Sequence, residues 1–160
     1  MADELNKFNN KINKLDSAIT KRLRTKLLSW GKRIRKEIQD RTKDGKGVHK
    51  KRSEAVPFKP LAESTIEHRR LLKERGELNS ETSPGKSNQM ESGKLINDMQ
   101  LKIDSPTLTI EISPSTDRKD VAKGQQDMGR TIFNLSEEQF REIEQDIKDE
   151  VLDVIKKSLK

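Results

Sequence analysis

The sequence predicts an α+β fold: a long N-terminal helix, a short helix, a small antiparallel β-sheet made of one hairpin, and a C-terminal helix. Three observations predict it. Apolar residues recur every three or four positions through the first forty residues. Met99, Leu101 and Ile103, then Leu108, Ile110 and Ile112, alternate with polar neighbours around the turn residues Asp104-Ser105-Pro106-Thr107. A capped, helix-periodic run occupies the chain from Ser136 onward.

The 160 residues suit one domain. It reads as 1–40, a long amphipathic helix; 41–93, a loop, a short helix and a flexible flap; and 94–160, the hairpin and C-terminal helix. In the first element Leu5, Phe8, Ile12, Leu15, Ile19, Leu23, Leu27, Trp30, Ile34 and Ile38 form a narrow stripe with charged residues between them. So narrow a stripe resembles a coiled-coil seam and is expected to dock along a partner surface. Gly31 is its weak point, costing about 1 kcal/mol relative to alanine in a helix interior.

The segment 41–53, with two glycines and many cations, reads as an exposed loop. Pro57 and Pro60 hold an extended turn, and a short helix is expected from Leu61 to Arg75, ended by Gly76. Residues 77–93 are polar and rich in Ser, Gly and Asn, and a second polar stretch runs from Pro114 to Gly129; both are expected to be mobile. In the last helix Ser136 and Gln139 form a capping box, with Leu135 and Phe140 as hydrophobic staple. Ile143, Ile147, Val151, Val154, Ile155 and Leu159 mark its buried face.

Composition narrows the function. Only 29% of the chain is hydrophobic and 38% is charged, whereas globular domains run at roughly 45–50% apolar by a count that includes glycine. The core must be small, and part of the order is expected to come from partners. The chain has no cysteine, which excludes disulfides, thiolate metal sites and cysteine nucleophiles. No apolar run reaches the length of a signal peptide or a membrane span, so the expected place of synthesis is the cytosol, without membrane contact. The net charge of +7 is uneven: residues 1–52 hold 17 Lys/Arg against 6 Asp/Glu, and residues 94–160 hold 11 against 14. Such asymmetry suits a nucleic-acid-facing surface or head-to-tail contact between copies.

Enzyme-like strings are weak. Pro84-Gly85-Lys86-Ser87 matches the tail of a phosphate-binding loop, but Ser80 stands where its first glycine belongs and no buried strand precedes it. His49 and His68 lack metal-ligand spacing, and Glu63, Glu67 and His68 read as solvated charges on a helix. Asn134-Leu135-Ser136 fits a glycosylation acceptor and reads better as a helix N-terminus. No catalytic, metal or cofactor-binding residue is assigned.

Three strings resemble the bacteriophage virion-morphogenesis and tail-completion proteins, a family overlapping the head-tail joining proteins of long-tailed phages. Asp44-Gly45 leading to Pro57-Phe58-Lys59-Pro60-Leu61 and Ser64-Thr65 is similar to the family's glycine loop and aromatic-x-Pro-Leu turn. Glu91-Ser92-Gly93-Lys94-Leu95-Ile96-Asn97-Asp98-Met99 resembles its Thr/Ser-Gly-Arg-Leu segment before the hairpin. Arg130-Thr131-Ile132-Phe133-Asn134-Leu135-Ser136 resembles its Arg-Pro-Phe-Leu-Gly-Leu-Ser approach to the last helix. Departures are Lys94 for the usual arginine, Thr131 for a common proline, and the absence between Ser113 and Gly129 of an aromatic, histidine-containing stretch. The resemblance covers the chain from about Arg41 onward.

It implies a structural, non-enzymatic subunit of the virion, assembled in the host cytoplasm into a collar where tail meets head. Its partners would be copies of itself, in rings of about six or twelve, and other neck or tail proteins. Structural roles fall to Pro57, Phe58, Pro60, Leu61, Gly93, Leu95, Arg130, Phe133 and Ser136. The helical seam itself supplies the expected assembly interface: Leu15, Ile19, Leu23, Leu27 and Trp30. DNA in the channel would meet the basic surface without sequence readout. The alternative is a small, basic, non-specific nucleic-acid-binding protein using residues 1–52.

Overall fold

Helix α1 runs unbroken from Ala2–Lys43 in the computed structural model, which describes residues 2–88 and 90–158. At 1.5 Å per residue its 42 residues span about 60 Å. The last helix, the β-hairpin and the first short strand pack against it. Strands β1 (Lys46–Gly47) and β2 (Val56–Pro57) pair antiparallel, helix α2 (Glu63–Glu74) follows, and a single turn, α3 (Lys94–Asn97), leads into β3 (Gln100–Asp104) and β4 (Thr109–Ser113). A 3-10 turn (Thr116–Arg118) and α4 (Lys119–Asp127) precede α5 (Glu137–Ser158). The protein is α+β, with two two-stranded sheets among the described residues.

The hairpin has the register that alternation requires. Leu101 stands opposite Ile112 and Ile103 opposite Ile110, so one face is apolar and turned to α1. Gly31 is the seat for that face: a Cβ there would lie 2.7 Å from Leu101 Cδ1 and 3.2 Å from Ile103 Cδ1. The weak point of the helix is therefore its closest approach to the sheet. Ile34 and Ile38 of α1 join Phe58, Met90, Leu95, Ile96, Met99 and Ile132 in the central core.

Helix α5 lies antiparallel along α1. Arg41 donates to Gln139 Oε1 at 2.9 Å, Arg33 pairs with Asp146 at 2.8 Å, and Lys26 with Glu150 at 2.7 Å. The capping box forms: Gln139 N donates to Ser136 Oγ at 3.2 Å and Ser136 N to Gln139 Oε1 at 3.0 Å.

Four expectations need correction. Residues 41–53 are not simply an exposed loop: α1 continues to Lys43, and Thr42 and Val48 are fully buried. The segment runs beside 131–137, with Val48 N on Thr131 O and Arg52 N on Leu135 O, both at 3.1 Å. It packs because Gly47 leaves room for the Phe58 ring. Residues 77–93 are a loop but one pinned from inside, since Asn88 and Met90 are buried. The polar stretch 114–129 contains α4, whose nine residues and central Gly124 give too short a period to detect. Finally, the apolar side chains of α5 are only half covered, Ile147 being 37% exposed, while Leu159 lies outside the described residues.

Candidate assembly interface

The apolar seam of α1 divides into three parts. Leu27 and Trp30 are buried, with Ile34 and Ile38 beyond them. Leu15, Ile19 and Leu23 are half-buried. Leu5, Phe8 and Ile12 are 62%, 59% and 48% exposed. The register of α5 explains the gradient. With Glu150 beside Lys26 and Arg22, an antiparallel partner reaching Ser158 stands opposite about residues 14–18 of α1. Nearer the N-terminus the stripe has no cover among the described residues.

The seam thus departs from its expected role in one respect: Leu27 and Trp30 serve the chain's own fold, because the hairpin and α5 converge on them. The walls around them stay only partly covered. Between α1, β4 and α5 opens an apolar groove of about 650 Å³. Its floor is Leu23, Leu27, Trp30, Ile34 and Ile38; one wall is Leu108, Ile110 and Ile112; the other is Phe140, Ile143 and Ile147. Lys51, Arg52 and Glu111 add charge to its lining, and the Arg52 guanidinium stacks 3.5 Å from the Phe140 ring centroid.

Two arginines that sequence reading missed hold the loops around this core. Arg41 donates to Ile132 O at 2.5 Å and Asn134 O at 3.0 Å as well as to Gln139. Burial lowers its pKa to about 10, opposed by the charge of Glu37. Glu37 is itself raised, first by burial, with Arg33 opposing and Glu142 adding to the rise. Arg69, on α2 and only 4% exposed, donates to Lys86 O at 2.8 Å, Asn88 O at 3.1 Å and Glu91 Oε2 at 3.3 Å. Each sits three residues after an isoleucine of an apolar stripe, Ile38 or Ile66. A cation on an apolar helix face is the signal that finds them.

The residues singled out by resemblance fall mainly in the core. Phe58, Leu61 and Leu95 are buried; Pro57 lies in β2 and, like Pro60, faces solvent. Gly93 has φ +74°, and a Cβ on it would meet Asn79 Nδ2 at 2.5 Å, so this position favours glycine. Arg130, its pKa lowered by burial and then by the charge of Arg69, bonds Gln125. Phe133 lines the groove. Ser136 caps α5.

No family model, curated protein or solved structure matches the chain. Function must therefore be argued from the residues. Around Lys86 the backbone serves Arg69, Ser87 Oγ donates to Lys59 O at 2.5 Å, and the next helix begins only at Lys94; a phosphate loop needs its helix at once. Glu63 and Glu67 pair with Arg70 on the outside of α2. Asn134 Nδ2 donates to Val48 O at 3.0 Å, tying the start of α5 to the 48–53 segment. Among the described residues no three His, Cys, Asp or Glu side chains are grouped to hold a metal ion, and no helix is long and apolar enough to cross a membrane.

Proposed function

We propose that this chain is a structural subunit of a tailed-bacteriophage neck or tail, a tail-completion or head-tail joining protein that assembles as a ring at the tail-head junction. The observation that carries the reading is the open apolar groove on the flank of a subunit whose leading helix also presents Leu5, Phe8 and Ile12 to solvent. In so polar a chain, two uncovered apolar surfaces are what a protomer leaves for its neighbours. The three sequence strings similar to the tail-completion family supply the rest, with Phe58, Leu61, Leu95 and Gly93 in structural positions. The role is non-enzymatic and needs no cofactor. Other neck and tail proteins are the natural partners, and copy numbers of about six or twelve fit a collar.

A nucleic-acid-binding role is the second reading, favoured by the exposed cations Lys46, Lys50, Lys51 and Arg52. Against it, of the three aromatics in the basic half, Trp30 and Phe58 are buried and cannot stack on bases, which leaves Phe8 alone exposed. Electron microscopy of whole particles, with the subunit located by antibody labelling, tests the choice. Density in the neck or tail is the expected result. Exclusion from particles, together with strong salt-sensitive DNA binding by the monomer, would replace this reading with the second.

A further inference from the structure

We infer that the cleft between α4 and residues 130–134 is a phosphate-binding site, with Lys119, Lys123 and Arg130 holding the anion. The cleft measures about 340 Å³, room for a phosphoryl group and part of what carries it. Lys119, Lys123 and Gln126 stand at i, i+4 and i+7 of α4 and so share one face of that helix. Arg130 and Thr131 line the cleft from the segment that follows. These five side chains offer two ammonium groups, a guanidinium, an amide and a hydroxyl, each of them able to donate. Asn134 adds nothing, since its amide is committed to Val48 O and His49 O. The site lies outside the basic stretch 1–52 and does not depend on the assembly reading.

No carboxylate lines the cleft among the described residues. Elsewhere the chain answers its cations: Arg22 and Lys26 meet Glu150, Arg33 meets Asp146, and Lys43 meets Glu81. Lys119, Lys123 and Arg130 enter no ion pair among the described residues. The acids nearest in sequence are placed otherwise. Asp117 accepts the Ser115 hydroxyl and pairs with Arg118, while Asp120 and Asp127 belong to α4 but not to the lining. Arg130 is half-buried, and its guanidinium bonds only the Gln125 amide oxygen, at 3.3 Å. Burial and then the like charge of Arg69 lower its pKa. Three cations around one concavity repel each other and focus a positive potential there, and an anion relieves the repulsion. A phosphoryl group, with three acceptor oxygens, matches three cationic donors better than a carboxylate with two. The carbonyls at the end of α4, which would oppose an anion, are already bonded: Gly124 O by Met128 N, Gln125 O by Arg130 N and Gln126 O by Gly129 N.

Lys119 and Lys123 are exposed and bond nothing among the described residues, so Lys119→Gln combined with Lys123→Gln should leave the fold intact, which melting curves check. Arg130→Gln is the second variant. Backbone amide NMR shifts of the full chain are followed while sodium phosphate is added at constant ionic strength, and separately while a short duplex DNA is added. The expected result is saturable movement of the 119–131 amides, with affinity about 10-fold weaker in each variant and unchanged in Lys148→Gln on α5. Tighter binding of the DNA at the same amides would mark the phosphate as part of a nucleic-acid backbone. Binding of phosphate without DNA would mark it as that of a small phosphorylated ligand. No saturable movement with either probe, or movement that survives in the lysine variant, would overturn the site.

Discussion

Arg41 carries more of the fold than its charge implies. Its fork joins the last turn of α1 to Ile132 O, Asn134 O and the capping residue Gln139, so one side chain fixes the segment that launches α5. Removing it strands the two carbonyls and leaves Gln139 Oε1 with only its bond from Ser136 N. Arg41→Ala should cost about 2–3 kcal/mol, as for hydrogen bonds to a charged group. Ser136→Ala, which loses one cap bond, should cost about 1 kcal/mol. Arg41→Lys should recover little, since an ammonium cannot reproduce the planar fork. Chemical denaturation of the three variants gives the ranking; equal losses for Arg41→Ala and Ser136→Ala would mean that the fork is ornamental.

Between elements, the α1–α5 contact is laced by charges that answer pH in opposite directions. Hydrogen bonds from Lys26 and Arg22 hold the Glu150 carboxyl below its ordinary value of 4.5. That group stabilises the fold above pH 4.5, and the contribution is lost as pH falls through its depressed folded value. Asp117 and Asp153 act with the same sign. Glu37 is shifted upward, chiefly by burial, so its ionisation opposes folding at neutral pH and the opposition lifts as pH falls toward 4.5. Thermal stability should therefore rise slightly from neutral to mildly acid pH and then drop. Glu37→Gln should flatten the upper limb and Glu150→Gln the lower one; melting curves between pH 3 and 7 check both.

The same elements show what a sequence can disclose. Helices α1 and α5 and the hairpin are legible because each repeats its period several times: the stripe from Leu5 to Ile38, the alternation around Pro106, the capped run after Ser136. Strands β1 and β2 have two residues each and no alternation to read. Their pairing depends on Gly45, at φ +80°, whose carbonyl accepts Phe58 N at 2.7 Å. Helix α4 sets only Ala122 against the core and leaves Val121 facing solvent, so its apolar period is too faint to read. For the candidate interface, the stripe was visible and the groove was not. A groove is made by where α5 and β4 stop short of each other, and periodicity is silent about that distance.

At the scale of the whole molecule, apolar surface is divided between a compact half and a projecting arm. The central core needs only Ile34 and Ile38 from α1, while the arm bears Leu5, Phe8 and Ile12 without a partner among the described residues. Assembly of such subunits should depend steeply on protein concentration and weakly on salt, because apolar burial contributes about 1.5–3 kcal/mol per large side chain and an exposed ion pair about 0–1 kcal/mol. Light scattering across a salt series distinguishes this from association through phosphates or surface charge, which would weaken markedly as salt rises.

The projecting arm also makes the subunit's state readable by a protease. A helix without tertiary support frays from its end, because its turns are held only by local bonds, and α1 carries Lys7, Lys11 and Lys14 in that unsupported stretch. Trypsin should therefore clip the free subunit there long before it reaches Arg41 or Arg69, which are anchored within the fold. A partner that covers the arm would make the same bonds resist cutting, so the rate of clipping reads whether the stripe is free. A clipped chain would lose Leu5, Phe8 and Ile12 and keep the core that Ile34 and Ile38 share with Phe58 and Met90. Melting of the clipped product should therefore match that of the whole chain, because the lost residues support nothing in the core.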